Sequence, residues 1–541
     1  MSQRTENEQL TRTFSRRQAL RAMGGAGVVI PALALGGPEG ARARGTSTDR
    51  LLSAAFQGEP VPGGSATVVT EADWVDLDPH TNALFASMQA WEYVYESLTQ
   101  FDMDGNVAPA LAESWENPDP LTYIFHLRPG VTWHDGKPFT AADVKYSFER
   151  VLNPETAAPQ RSAIAAVSAI DVVDDSTLHI TLSQPRLFFL ETLANLLGTA
   201  IIPDGAAENG DIKTNPIGTG PFKVNEIRSG DYIRFERNPD YWEAPKPYLD
   251  ELVLKLMVEE DTRVAWIRSG EADYIDLYAE AAGRLGGEDG ITVLEHPKVY
   301  MLRITYKTTE GPLADSRVRK ALDMALDRAD MIDKARFGGA TPTGFIPSGF
   351  EGFDRPESEL PSWFTAPDQD AAKQLLSDAG FGDGFSISIK GSRPEHIAIA
   401  LVAQQNWQDL GLEVNVEQME YGTYIQDWNA SNFEALVIGQ TYTPDPLNYL
   451  WPIFHTDGSS NRPLYSNATV DDLLDQASAS TDRAEVKTLL HQAEDFMWDD
   501  GTPQSYVYNA LNYEGLRTRI QDYVPLFSAR RTAFKQAWIA E

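Results

Sequence analysis

The sequence predicts a mixed α/β protein with a β-rich first half and a second half in which helices and strands alternate. Apolar residues recur mostly with period two between residues 100 and 260, and from about 300 helical periodicity is interrupted by short apolar strands. Gly, Pro, Asn and Asp punctuate the joins.

Ahead of the folded part, Ser15-Arg16-Arg17-Gln18-Ala19-Leu20-Arg21 is followed by a Gly- and Ala-rich apolar run over 22–35 and then by Ala41-Arg42-Ala43. This pattern resembles a twin-arginine export signal over residues 1–43, cleaved after Ala43, and the run is too short for a stable membrane anchor. An amphipathic helix is the competing reading, weakened by Gly24, Gly25, Gly27 and Pro31. Residues 44–63, rich in Gly, Ser and Pro, read as a flexible leader into a first strand over 66–70.

Further strands follow from alternation. Tyr123, Phe125 and Leu127 interleave with Thr122, Ile124 and His126, and Leu178, Ile180 and Leu182 with Thr177, His179 and Thr181. Turns are expected at Asp104-Gly105, Asn117-Pro118, Asp135-Gly136 and Asp174-Asp175. A helix starts at Thr140, with Asp143 three residues on and Val144, Phe148 and Val151 behind it. In the second half one helix is expected over 317–337, ending at Gly338-Gly339, and another over 370–379, ending at Gly380. Then come a strand at Phe385, Ile387 and Ile389, a helix over 395–410 stopped by Gly411, a strand at Val414 and Val416, a helix over 421–430 and a strand over 436–438.

Composition narrows the chemistry. The 541 residues carry 79 acidic and 45 basic side chains, a formal charge of −34, which disfavours a nucleic-acid or anionic-membrane partner without a basic patch. With no cysteine there is no disulfide, thiolate metal site, Cys nucleophile or lipid-bearing cysteine. The eight histidines show no metal-ligand spacing, and no Gly-x-Ser-x-Gly occurs. Residues 130–137 mimic a phosphate loop with the wrong glycine spacing, and Asp102-Met103-Asp104-Gly105-Asn106 mimics the start of a calcium loop but reads better as a hairpin turn.

Longer motifs carry a resemblance. Leu77-Asp78-Pro79-His80, Tyr95-Glu96-Ser97-Leu98, Pro109-Ala110-Leu111-Ala112-Glu113-Ser114-Trp115 and the run from Val131 through Trp133-His134-Asp135-Gly136 to Val144 occur in order with Pro216-Ile217-Gly218-Thr219-Gly220-Pro221-Phe222, Arg237-Asn238-Pro239-Asp240-Tyr241-Trp242, Arg317-Val318-Arg319-Lys320-Ala321-Leu322 and Asp445-Pro446. Over roughly residues 64–520 the chain resembles the peptide/nickel-type (family 5) extracellular solute-binding proteins. The resemblance implies a two-lobed α/β periplasmic-binding-protein fold of the cluster C type, with an extra subdomain in the N-terminal lobe. Lobe I would cover 64–299, with its inserted subdomain at about 100–215; lobe II would cover 300–504, and 505–541 would return to lobe I. It also implies a non-enzymatic monomer in the periplasm, without cofactor or lipid anchor, that closes on a peptide or small-molecule ligand and delivers it to the permease of an ABC transporter. Most of the motifs read as scaffold.

Site candidates follow from the rule that ligands favour domain interfaces and the carboxyl ends of strands. Arg393, in Gly391-Ser392-Arg393-Pro394, stands beside a helix start, an arrangement suited to an anion, and otherwise reads as an exposed loop arginine. Dipeptide-binding relatives are similar here, with an Arg-Pro pair that holds the ligand carboxylate. In the segment Gly439 to Tyr449, Tyr442 stands where peptide-binding relatives place an Asp for the ligand ammonium; the Trp common near Gln440 is absent. Asp445 reads as a substitute for that Asp or as an N-cap ahead of Pro446. By the same resemblance Asn82 and Ser87 line the pocket from lobe I, while Trp74 supplies either a stacking face or core. Arg303 and Lys307 add positive potential on the strand entering lobe II. The competing readings are an oligosaccharide, opine-like or metal-chelate ligand, an exported hydrolase, and a structural or signalling protein that reuses the fold.

Overall fold

A computed structural model describes residues 59–74, 76–82, 84–102, 105–348, 350, 352–441, 445–525 and 531–540. The expected export signal, most of the leader, and Tyr442 lie outside the described residues.

The alternating segments are strands. In chain order they are β1 (Ser65–Thr70), β2 (Ala112–Asp119), β3 (Thr122–Leu127), β4 (Val167–Asp174), β5 (Thr177–Leu182), β6 (Phe222–Arg228), β7 (Tyr232–Arg237) and β8 (Glu251–Leu256). The order continues with β9 (Tyr274–Leu277), β10 (Ile291–Tyr306), β11 (Ser386–Gly391), β12 (Glu413–Gln418), β13 (Ala435–Thr441) and β14 (Gln504–Arg517). β3 and β5 bury every second residue, as the period-two pattern requires. The helices used below are α1 (Phe85–Trp91), α2 (Ala141–Leu152), α3 (Phe189–Ala194), α4 (Ser316–Met324), α5 (Arg328–Arg336), α6 (Gln369–Asp378), α7 (Pro394–Gln408), α8 (Tyr421–Asn429), α9 (Pro446–Phe454) and α10 (Arg483–Asp500).

The main sheet runs β12-β11-β13-β10-β14-β9-β1-β8-β7-β6. Two of its strands serve both lobes: β10 has 16 residues and β14 has 14. Residues 291–297 of β10 pair with 511–517 of β14 in the first lobe, and 301–305 pair with 504–509 in the second. Between these stretches Pro297 faces Leu511 but Met301 faces Asn509, so β10 carries two extra residues. Such a bulge bends a ladder, and this one lies where the chain passes from one lobe to the other.

Each lobe has its own core. In the first, Val68, Phe235, Leu252 and Leu254 pack with Ile520, Tyr523 and Phe534 from the C-terminal segment. In the second, Leu302, Ile304 and Tyr306 of β10 pack with Val318, Leu322, Met331, Ile399, Ala403 and Trp407 of α4, α5 and α7. Trp407 is fully buried, yet its indole N–H donates to the Leu322 carbonyl at 3.0 Å, so its polar edge is satisfied. The separate sheet β2-β3-β5-β4 packs Phe125 and Ile180 against Val144 and Phe148 of α2. α2 starts as its sequence requires: the Asp143 carboxylate accepts the Thr140 N–H at 2.8 Å and the Asp204 N–H at 2.8 Å.

Two expectations need correction. Residues 317–337 form two helices, α4 and α5, because the Asp327 side chain accepts the Asp330 N–H and caps a new helix after the Ala325-Leu326 break. Asn117-Pro118 is not a turn but lies inside β2, an edge strand that tolerates proline, and the turn comes at Pro120-Leu121.

Several of the motifs that carry the resemblance meet in one buried knot in the first lobe. The Glu96 carboxylate accepts from Thr219 at 2.9 Å, Tyr241 at 2.7 Å and Trp242 at 2.9 Å. His134 Nε2 lies 3.0 Å from the Gly220 carbonyl, and Asn238 donates to the same carbonyl at 3.0 Å. Gly218 packs so tightly on Val94 that a Cβ would collide with the Val94 carbonyl. Gly218→Ala is therefore expected to cost about 3 kcal/mol by overpacking, read as a lower urea midpoint at unchanged m value.

Candidate functional site

β11 and β13 are parallel neighbours, so their carboxyl ends open at the same edge of the second lobe. Arg393 follows β11 and occupies the N-cap position of α7, a helix of 15 residues. Its guanidinium lies 5.2 Å from the ring centre of Tyr421, and among the described residues no carboxylate pairs with it. The first turn behind it is not simply positive. Pro394 has no N–H, and Glu395 brings a carboxylate that is held aside by the Tyr300 hydroxyl at 2.8 Å and by Arg336 at 3.6 Å. Tyr300 reaches there over Gly439, where any side chain would strike its hydroxyl.

His396, one residue further, is buried against Tyr424 with ring centres 5.5 Å apart. Neither ring nitrogen has a hydrogen-bond partner among the described residues. Burial pulls its pKa down to about 4, and Arg393 reinforces that against the opposing pull of Glu395, so the ring is neutral at pH 7.

Gln440, the sixth residue of β13, accepts from Arg303 Nη2 at 2.5 Å. Asp445 caps α9: its Oδ1 accepts the N–H groups of Leu447 at 2.8 Å and Asn448 at 3.2 Å, with Pro446 at the first helical position. Burial pushes the Asp445 carboxyl up to about 6, against the lowering effect of the two backbone donors and of Arg186. Lys307, at the far end of β10, pairs with Glu310 at 2.5 Å and takes no part in this edge.

The lobe I candidates lie after the carboxyl end of β1 and pack inward. Trp74 belongs to the first lobe's core and is 6% exposed. Ser87, in the first turn of α1, is fully buried and accepts from the Asn82 side chain at 2.8 Å, while Asn82 Oδ1 takes the Leu84 N–H at 2.9 Å. The structure thus gathers Arg393, Gln440, Arg303, His396 and Tyr424 in the second lobe, and leaves Trp74, Asn82 and Ser87 organising the loop and core of the first. Where the lobes meet, Arg483 of α10 pairs with Glu191 of α3 at 2.8 Å and Arg186 donates to Asn448 at 3.2 Å. Phe188 enters the second lobe's apolar cluster, its ring 5.3 Å from Phe353.

His396, Tyr300 and Tyr424 were not singled out from sequence. The available signal for His396 was position, since it follows Arg393-Pro394 in the same first turn. Tyr300 and Tyr424 reach the site only through tertiary packing, which no local pattern reports.

Residues 106–461 match the model of the bacterial extracellular solute-binding proteins, family 5 Middle. The glutathione-binding protein GsiB of Pectobacterium atrosepticum is 29% identical over 473 residues, covering 83% of this chain and 90% of that protein. Among solved structures, HbpA2 from Haemophilus parasuis aligns with a TM-score of 0.78 at 25% identity, over 88% of this chain and 100% of that one. The binding protein AgaA from A. tumefaciens R10, in complex with agropinic acid, aligns with a TM-score of 0.71 at 25% identity, over 88% and 99% of the respective chains. The fold is the two-lobed one of periplasmic binding proteins. With a family model spanning most of its length and a sheet shared between two lobes, this chain belongs to the bacterial extracellular solute-binding proteins, family 5.

Proposed function

We propose that the protein is the exported solute-binding component of an ABC importer, a monomer without catalytic activity, which captures a short peptide or peptide-like solute between its lobes and hands it to a membrane permease. The twin-arginine pattern of residues 1–43 supports export with a cleaved signal, and the absence of cysteine leaves no site for a lipobox anchor. Relatives named for glutathione or solved with agropinic acid support a ligand that carries a carboxylate. The observation that carries the reading is Arg393: a cation without a carboxylate partner among the described residues, at a helix start and at the carboxyl ends of parallel strands. Arg393 would take the ligand carboxylate, with Gln440 at the same strand edge.

Contacts formed only in the closed arrangement shift the lobe equilibrium toward it. Native mass spectrometry of the purified mature protein tests the ligand class: retained peptide-sized masses are expected, and a single non-peptide mass would move the protein to another solute class. For the retained solute, Arg393→Ala is expected to weaken binding at least tenfold; a change below twofold would remove Arg393 from the site. Small-angle scattering is expected to show compaction when that solute is added, and an unchanged radius of gyration would contradict capture by closure.

Asp445 has a separate test. Its folded pKa of about 6 lies above the ordinary aspartate value of 3.8, so the stability tied to its protonated form is fully present below about pH 4 and is lost as pH rises through 6. Asp445→Asn keeps an oxygen for the cap but removes the buried charge. The variant is expected to match wild type near pH 4 and to exceed it by up to about 3 kcal/mol at pH 8 in urea denaturation. Parallel stability profiles would show that Asp445 ionises without this penalty.

A further inference from the structure

Among the described residues four arginines are almost completely buried: Arg263, Arg303, Arg319 and Arg328. Three are satisfied inside the chain. Arg263 donates to the carbonyls of Met257, Val258 and Asp276. Arg319 donates to those of Leu313, Ala314, Gly501 and Thr502. Arg328 pairs with the Asp323 carboxylate at 2.5 Å and donates to the Tyr506 carbonyl at 2.8 Å.

Arg303 is the exception. It is 2% exposed, its Nη2 donates to Gln440, and its Nε and Nη1 have no partner among the described residues. No carboxylate pairs with it among the described residues. Its other close neighbour is the Tyr506 ring, 5.9 Å from the guanidinium carbon. Burying a guanidinium with so few partners costs several kcal/mol, a cost that a structural role would offset with carbonyls or a carboxylate, as the other three do.

Its position points to the solute. Arg303 faces Ile438 across the ladder, and its side chain extends two residues further, to Gln440 at the carboxyl end of β13. Tyr424, buried with its hydroxyl on the Val437 carbonyl at 2.6 Å, feels both cations: burial raises its phenol pKa, and the charges of Arg303 and Arg393 pull it back. Arg393, after β11, and Arg303, through Gln440 near the end of β13, therefore serve the same edge of the second lobe.

We propose that Arg303, with Gln440, is a second anion anchor, and that the solute is a peptide-like molecule carrying two carboxylates, one held at Arg393 and one at Arg303. This rests on the peptide reading above. The unused Nε–H and Nη1–H lie on the two different edges that meet at Nη2, so on either edge a donor remains for a carboxylate oxygen.

The test uses the mature protein, calorimetric titration, and two probes differing by one carboxylate, Ala-Glu-Ala and Ala-Gln-Ala. Wild type is expected to bind Ala-Glu-Ala at least tenfold more tightly, and Arg303→Gln to abolish that preference, whereas Arg393→Ala weakens both probes alike. If both probes bind but Arg303→Gln leaves their ratio unchanged, the second anchor is wrong while the peptide reading stands. If neither binds wild type, the peptide reading fails for these probes, and thermal unfolding with glutarate decides Arg303 by itself. Stabilisation of wild type that Arg303→Gln loses, with no drop in the variant's own Tm, supports the anchor. A variant Tm several degrees below wild type, or an equal glutarate response, overturns it.

Discussion

Everything in this molecule hangs on one antiparallel ladder. β10 and β14 run through both lobes, so each lobe's sheet is built outward from the same pair of strands. The two extra residues of β10 after Pro297 interrupt the ladder between its two halves, where bonds are fewest and bending least costly. On either side the strands are locked by large cores, Val68, Phe235 and Leu252 in one and Leu302, Ile304 and Trp407 in the other. Stiff lobes joined at an irregular ladder concentrate motion in the joint.

The same strands place the chemistry. β10 carries apolar side chains toward α4, α5 and α7 and Arg303 toward the opposite face, while β11 and β13 end together, which brings Arg393 and Gln440 to one edge. The acidic surplus of the chain makes these cations more telling. A protein with a formal charge of −34 has carboxylates in excess, and the arginines of the scaffold find them or find carbonyls. Contacts between Glu191 and Arg483, and between Phe188 and Phe353, tie the two lobes to each other.

Much of the fold was legible because local pattern and tertiary context agree. Alternation marked β3 and β5, and Thr140 with Asp143 marked the start of α2. Where they disagree the reading failed. The helix over 317–337 was read through Asp327 because its apolar face continues across the break, and Pro118 was read as a turn because an edge strand cannot be told from a loop by proline alone. The site was legible only in part. Arg393 is announced by the helix start beside it and Asp445 by the Pro446 that follows, but Asn82 and Ser87 are bonded to each other, a pairing invisible before folding. Arg303 carries a charge that any sequence shows; that it lacks partners can be learned only from its surroundings.

The closing segment has a consequence for how the chain comes to be folded at all. Ile520, Tyr523 and Phe534 complete the core of the lobe that begins with β1, and Arg519 clasps Asp273 with bonds of 2.6 and 2.8 Å. A ribosome-bound chain that has not yet released these residues holds an unfinished first lobe, with one edge of β9 unpaired and apolar surface open. Completion of that lobe therefore waits until residues 513–537 have emerged, after every segment that builds the core of the second lobe.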